Sequence, residues 1–364
     1  MKIFYDGEIF NRQKVGGINR YFFELISRLP QGYKPVLTTV SPCYSALPQN
    51  TTLRNYSYKR FSFKPGRLSF ALEPYYFELI ENLVNPDIFH PTYHYLLTRR
   101  KLISKKRHAT VLTVYDLLQE IVPDLIDPER VEIEFKKAAI LAADVIICIS
   151  ENTKKDLIDH YNISSEKIYV THLASNLRYH PSANTLTCEK PYLLYVGSRL
   201  KHKNFKVLLE AFNNISRSIK DIDLYVVSSP WSKIEAQEIE EKKLTDRIHL
   251  VSYVDDNYLA NLYGNCLCFI YPSIYEGFGI PLLEAMQCQA PVIASGTSSI
   301  PEVVGDAALL FNPYSVDELT DMLKFIINHS DVRNSLALKG VEQAKKFSWD
   351  TTVNETLKVY QLFK

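Results

Sequence analysis

Two α/β domains, each a doubly wound parallel sheet, are what this sequence predicts, and three observations carry the prediction. The chain has 364 residues, more than one ordinary domain of about 100 to 200 residues holds. Short apolar runs rich in β-branched residues alternate with longer helical patterns along its length, the signature of βαβ units. One polar stretch, Asn176 to Pro191, combines Ser, Asn, Thr and two prolines without periodicity and reads as a linker. The expected layout is a first domain over residues 1–178, a second over 179–346, and a last helix, 347–364, packing back towards the first.

In the first half the strand candidates are Lys2 to Tyr5, Val36 to Val40, Ile88 to His90, Thr110 to Val114, Val145 to Ile149 and Ile168 to Thr171. Ser150 is placed to cap a helix that opens Glu151-Asn152-Thr153, because its hydroxyl can accept from an otherwise unpaired first-turn amide. Beyond the linker the pattern restarts with strand Tyr192 to Val196, helix Phe205 to Ile215, strand Asp223 to Val227, helix Ile234 to Lys243 and strand Ile248 to Val251. Helix Tyr258 to Tyr263, strand Leu267 to Tyr271, helix Pro281 to Gln287 and strands Pro291 to Ala294 and Ala308 to Phe311 follow, with three helical segments from Val316, Val332 and Trp349. Two such domains on one linker place a cleft between the carboxyl ends of their strands, where doubly wound folds bind ligands.

With 46% hydrophobic and 23% charged residues the composition is that of a globular protein. The formal charge of +1 conceals an asymmetry, since residues 1–182 hold 24 Lys and Arg against 19 Asp and Glu. Met1-Lys2-Ile3-Phe4-Tyr5-Asp6 reaches an acid before a signal-like apolar core forms, and the best apolar run, Ala138 to Ile149, is broken by Asp144. A cytoplasmic protein is the expectation. Six cysteines without CxxC spacing read as reduced thiols, Cys266 and Cys268 sharing one face of a strand. The scattered histidines, His90 and His172 among them, have no metal-ligand spacing, so no metal or other cofactor is expected.

The sharpest chemical feature is Glu276-Gly277-Phe278-Gly279-Ile280-Pro281-Leu282-Leu283-Glu284, which follows a strand and opens a helix. Pro281 suits the first helical turn, the glycines let a ligand approach, and amides near Gly277, Phe278, Gly279 and Ile280 with the positive helix end make an anion site. Glu276 and Glu284 would repel that anion unless they faced hydroxyls, as on sugar and ribose rings; a solvated helix start is the plain alternative. Gly197-Ser198-Arg199-Leu200-Lys201-His202-Lys203 turns out of the first strand of the second domain, where Arg199 and Lys203 are placed to neutralise a diphosphate by side chain, or else are surface charge.

Residues 190–312 resemble the retaining family-4 glycosyltransferases, whose hallmark is two glutamates with seven residues between them, here Glu276 and Glu284, behind a glycine turn with a basic pair. Pro291-Val292-Ile293-Ala294-Ser295 and Ser299-Ile300-Pro301-Glu302-Val303-Val304-Gly305 extend the match. The resemblance implies a GT-B fold, two Rossmann-like domains with parallel sheets facing a central cleft. It also implies transfer of a sugar from a nucleotide-diphosphate donor without a metal. On it, Glu276, Arg199, Lys203 and Asp116 are the catalytic set. Gly16, Gly17, Ser198, Tyr253, Val254, Gly277, Phe278, Gly279, Ile280 and Glu284 are the donor-binding set. Glu284 would hold the ribose and Tyr253-Val254 the base. Tyr115-Asp116 stands where many relatives carry His-Asp, so a His-dependent step is not available, and Tyr115 is expected only to shape the sugar pocket.

Residues 54–107 hold 11 Lys and Arg against 4 Asp and Glu, with Tyr56, Tyr58, Phe61 and Phe63 among Lys59, Arg60 and Lys64. Arg99-Arg100-Lys101 and Lys105-Lys106-Arg107 add to this patch, which reads as solvated loops or as a dock for an anionic membrane surface presenting a lipid-linked acceptor. No nucleic-acid-binding module accompanies it. The expected partners are a nucleotide-diphosphate sugar and a glycan or lipid-linked acceptor, with the chain peripheral on the inner face of the membrane. Rivals are a nucleotide-sugar epimerase, a non-catalytic glycosyltransferase-like subunit, and a dehydrogenase. The last wants G-x-G-x-x-G, whereas Gly277-x-Gly279 is followed at the third position by Leu282.

Overall fold

A computed structural model describes the chain except for residues 15, 62–65, 104–106, 126–129, 181–187 and 253. It divides into two compact units, one of residues 1–123, 127–173 and 348–364, the other of 174–347 with 124–126.

The first unit runs β1 (Lys2–Asp6), α1 (Glu8–Arg12), α2 (Gly17–Ser27), β2 (Lys34–Ser41), β3 (Arg54–Lys59), α3 (Gly66–Val84), β4 (Ile88–Phe89) and β5 (Ala109–Val114). It continues through α4 (Leu118–Ile121), α5 (Arg130–Ala142), β6 (Val145–Cys148), α6 (Glu151–Tyr161) and β7 (Ile168–Val170). Its seven strands pair in parallel in the order β3-β2-β1-β4-β5-β6-β7. Ser150 caps α6, accepting from the Thr153 amide at 3.0 Å. Strand β3 lies within the stretch read from sequence as a basic, aromatic patch. Its Arg-Asn-Tyr-Ser-Tyr-Lys has no apolar run because an edge strand buries little of itself; in it only Tyr58 is buried.

The second unit runs β8 (Tyr192–Val196), α7 (Phe205–Ser216), β9 (Asp223–Val227), α8 (Lys233–Glu241), β10 (Ile248–Val251), α9 (Asp256–Asn265) and β11 (Cys268–Tyr271). Then come α10 (Ile280–Gln287), β12 (Val292–Ser295), α11 (Ile300–Val304), β13 (Ala308–Phe311), α12 (Val316–Asn328) and α13 (Ser330–Ala344). Six parallel strands are ordered β10-β9-β8-β11-β12-β13. Leu193, Leu224, Ile270 and Ile293 from these strands are buried with Leu208 and Phe212 of α7 and Leu319 and Leu323 of α12. Burial on both faces explains why these strands read as continuous apolar runs. All six cysteines are free thiols. Cys266 follows α9 and precedes β11, so it does not share a strand face with Cys268.

The last helix, α14 (Trp349–Gln361), belongs to the first unit. Ser348 caps it, and Trp349, Val353, Leu357 and Tyr360 are buried there. The Tyr360 hydroxyl meets His90 Nδ1 at 2.6 Å and the Tyr5 hydroxyl at 3.0 Å, while His90 Nε2 meets Thr113 Oγ1 at 2.8 Å. His90 is thus a satisfied core residue, and burial lowers its pKa to about 3. No helix among the described residues is long and apolar enough to cross a membrane.

Candidate active site

In the second unit the strand order reverses between β8 and β11, and loops leaving the carboxyl ends of two such neighbours diverge to open a crevice. The loop after β8 is built tightly. Gly197 has φ +147°, a conformation that favours glycine, and its amide donates to the Val227 carbonyl at 3.0 Å. The Tyr195 hydroxyl donates to the Ser198 carbonyl at 2.6 Å. The Ile274 amide donates to the His202 carbonyl at 2.7 Å, and the Asn204 side chain donates to the carbonyls of Pro272 at 3.1 Å and Pro313 at 2.7 Å. The turn after β8 is thereby fastened to the turn after β11.

Lys203 spans that junction, its Nζ donating to Glu276 Oε1 at 2.6 Å and Oε2 at 2.9 Å. Burial would raise the Glu276 carboxyl. The Lys203 ammonium and hydrogen bonds from Lys203, Ser273 and Tyr271 outweigh it and hold the pKa below the usual carboxylate range. Glu276 is therefore an ionised acceptor at neutral pH and has no proton to give. Its backbone is held as firmly: the amide donates to Ser298 Oγ at 3.0 Å, and the Ser299 hydroxyl lies 2.9 Å from the Glu276 carbonyl and 3.0 Å from that of Phe278. Gly279, at φ +109°, ends the loop, and α10 begins with Pro281 in its first turn and no side-chain cap. Glu284, one turn into α10, accepts from the Tyr263 hydroxyl at 3.4 Å. One cation, two spaced carboxylates and a helix start so converge within one unit.

Arg199 does not join them. Its Nε and Nη2 grip Glu235 at 2.6 and 3.2 Å, Nη1 and Nη2 donate to the carbonyls of Ser229 and Pro230 at 2.9 Å each, and the guanidinium stacks 4.3 Å from the Trp231 ring centre. The side chain is only 5% exposed. The sequence expects Arg199 at a diphosphate; in this structure its planar guanidinium meets a bidentate carboxylate and an aromatic face, and fastens the loop after β9 and the start of α8 to the loop after β8. Glu235 also completes a capping box with Ser232. Ser198 is exposed, offering its backbone carbonyl to Tyr195. Val254 sits just ahead of the Asp255 cap of α9, and Tyr253 lies outside the described residues.

In the first unit the strand order reverses between β1 and β4. Gly16 is the N-cap residue of α2, which opens with Gly17, and the short helix α1 precedes them. Tyr115 follows β5 with its hydroxyl buried and without a hydrogen-bond partner. Burial, and after it Tyr21 and Tyr93, push its pKa well above the usual phenol range, so it stays protonated. Asp116 accepts from the Leu118 amide at 3.1 Å and stands 3.8 Å from Lys136 Nζ. Sequence reading missed Glu132 on α5, which gathers Arg12 at 3.1 Å, the Tyr93 hydroxyl at 2.6 Å, Gln119 at 3.2 Å and His94 at 3.5 Å. Its carboxyl is held at about 2, chiefly by His94, with Tyr93 and Arg12 adding to that against burial. Only the position of Tyr93 and His94 just past the strand Ile88 to His90 signalled this group. Among the described residues no three His, Cys, Asp or Glu side chains gather as metal ligands.

Two Rossmann-like parallel-sheet units are the architecture of the GT-B glycosyltransferases. The comparisons agree. The family described as Glycosyltransferase Family 4 matches residues 15–177, and that described as Glycosyl transferases group 1 matches residues 180–344. The chain belongs to these glycosyltransferases. It is 29% identical over 266 residues to O-antigen chain mannosyltransferase B of Escherichia coli, covering 69% of this chain and 70% of that one. With O-antigen chain mannosyltransferase RfbU of Salmonella typhimurium it shares 30% identity over 222 residues, 59% of this chain and 61% of the relative. Sucrose-phosphate synthase from Thermosynechococcus elongatus has the same fold, with a TM-score of 0.77 at 20% identity over 100% of this chain and 98% of that structure.

Proposed function

We propose that the chain transfers a hexose, with retention, from a GDP- or UDP-sugar to a growing glycan or lipid-linked acceptor in polysaccharide or O-antigen-type biosynthesis. The names of the two O-antigen relatives support mannose, hence GDP-mannose, as the first donor to test. In this reading the bond between the anomeric carbon and the β-phosphate oxygen breaks, the acceptor oxygen bonds to that carbon from the same face, and its proton passes to the leaving diphosphate. Lys203 and the start of α10 stabilise the charge that develops there. Glu276, ionised, orients hydroxyls of the transferred sugar and Glu284 those of the ribose. No metal is needed, and the chain works in the cytoplasm, peripheral on the inner membrane face.

The observation that carries this is the Lys203–Glu276 pair bridging the two switch-point loops beside α10. Purified protein incubated with GDP-mannose or UDP-hexoses in EDTA, with and without a lipid-linked glycan acceptor, tests it by product analysis. Acceptor-dependent transfer with the α-configuration kept supports the proposal. Conversion of the donor sugar without acceptor would make the chain an epimerase, and nucleotide binding without turnover would make it a non-catalytic subunit.

A further inference from the structure

Helix α3 packs Phe77 and Ile80 on its own unit and buries two carboxylates with them: Glu73 is 2% exposed and paired with Arg60 and Arg99, and Glu81 is buried against His108, while Glu78 stays half-exposed and pairs with Arg100. Its outward stripe is Leu68, Leu72, Tyr75, Leu79 and Leu83, between 43 and 71% exposed, at the i, i+4, i+7, i+11 and i+15 positions of one helix face. Water solvates leucines poorly, so an apolar stripe of this length calls for an apolar neighbour outside the unit.

The surrounding charge selects that neighbour. Arg60 and Arg99 flank the exposed Phe70 and share the one carboxylate of Glu73, which leaves a net positive charge there, while Arg100, paired with Glu78, lies 5.6 Å from the Tyr75 ring centre. At the other end Leu83 shares a groove with Lys2, Lys34 and Arg54. The stretch 54–107 carries 11 Lys and Arg against 4 Asp and Glu. A second copy would bring the same excess of positive charge against this face and be repelled. An anionic bilayer offers both the apolar layer for the stripe and negative headgroups for its flanks.

We propose that α3 is the membrane-docking element, lying in the plane of an anionic leaflet with Leu68, Leu72, Tyr75, Leu79 and Leu83 inserted among the lipids. This rests on the peripheral location proposed above and assigns it to one helix. The test is flotation of the full chain with phosphatidylglycerol-rich vesicles and with phosphatidylcholine alone, comparing wild type with Leu72→Gln/Leu79→Gln. Helix content and melting temperature report folding, and Leu83→Gln, at 71% exposure, serves if the double variant is unstable. Wild type should float with the anionic vesicles, and the double variant should lose about tenfold or more in partitioning, since each insertion contributes through buried apolar area. If wild type and variant float equally, α3 is not the dock although membrane residence stands. If wild type fails to float, peripheral residence is wrong and the assignment to α3 falls with it. Wild type eluting as a dimer that the variant dissolves would show a second copy covering the face and would also overturn the inference.

Discussion

Lys203 and Arg199 stand four positions apart in one loop and have different occupations, and substitution should separate them. Lys203 is held at the junction by Glu276. Lys203→Ala should slow transfer by about 10²- to 10³-fold, as loss of one preorganised donor does, with little change in melting temperature. Arg199 is spent on Glu235, two carbonyls and Trp231. Arg199→Ala should cost about 1–3 kcal/mol of stability, read by denaturant unfolding, because it leaves a partly buried carboxylate and two carbonyls unpaired. A large kinetic loss without loss of stability would return Arg199 to the donor site. Tyr115→Phe should keep near-full turnover, since its hydroxyl has no partner to lose and stays protonated. The position of Lys203 at a strand-to-helix turn is legible in sequence. The partner that occupies Arg199 is not, because Glu235 lies 36 residues on and only the tertiary fold joins them.

Two elements hold their places by features that can be tested one at a time. Gly279 enters α10 at φ +109°, and a Cβ there would come 2.9 Å from Leu282 Cδ1. Gly279→Ala should therefore cost about 1–2 kcal/mol and weaken donor binding together with it, measured by melting with and without nucleotide. Helix α14 is tied to the first unit's sheet through Tyr360 and His90. His90 titrates at about 3 when folded, below the ordinary value near 6.5, so the fold favours its neutral form. Stability from this group is present above about pH 6.5 and declines as pH falls towards 3, by at most about 1.4 kcal/mol per pH unit. Urea midpoints at pH 7.5 and 5 should show the loss, and His90→Gln should reduce the slope while His94, shifted the same way, retains part of it. The long helices of the second unit are legible because their apolar spacing is strong, whereas α2, α3 and α5 of the first unit are not assigned from sequence. Helix α11 escapes because five residues hold no period, and β3 because an edge strand needs little apolar surface.

For the whole molecule, the doubly wound architecture follows from alternation and length, and each unit shows the strand-order reversal at which such sheets bind ligands. What sequence conveys less well are groups assembled from several loops, such as Glu132 with Arg12, Tyr93 and His94, whose members only the fold unites. The proposed donor site, by contrast, draws on two stretches that each carry a local signature, the turn ending at Lys203 and the run from Glu276 to Glu284. The most direct test of that site is nucleotide-dependent stabilisation of wild type and Glu284→Ala by GDP, UDP and ADP. At 100 times its dissociation constant the cognate nucleotide should add about 2.7 kcal/mol to wild type, and at that same concentration clearly less to the variant. Equal stabilisation of both proteins, or none by any nucleoside diphosphate, would contradict a donor site at the start of α10.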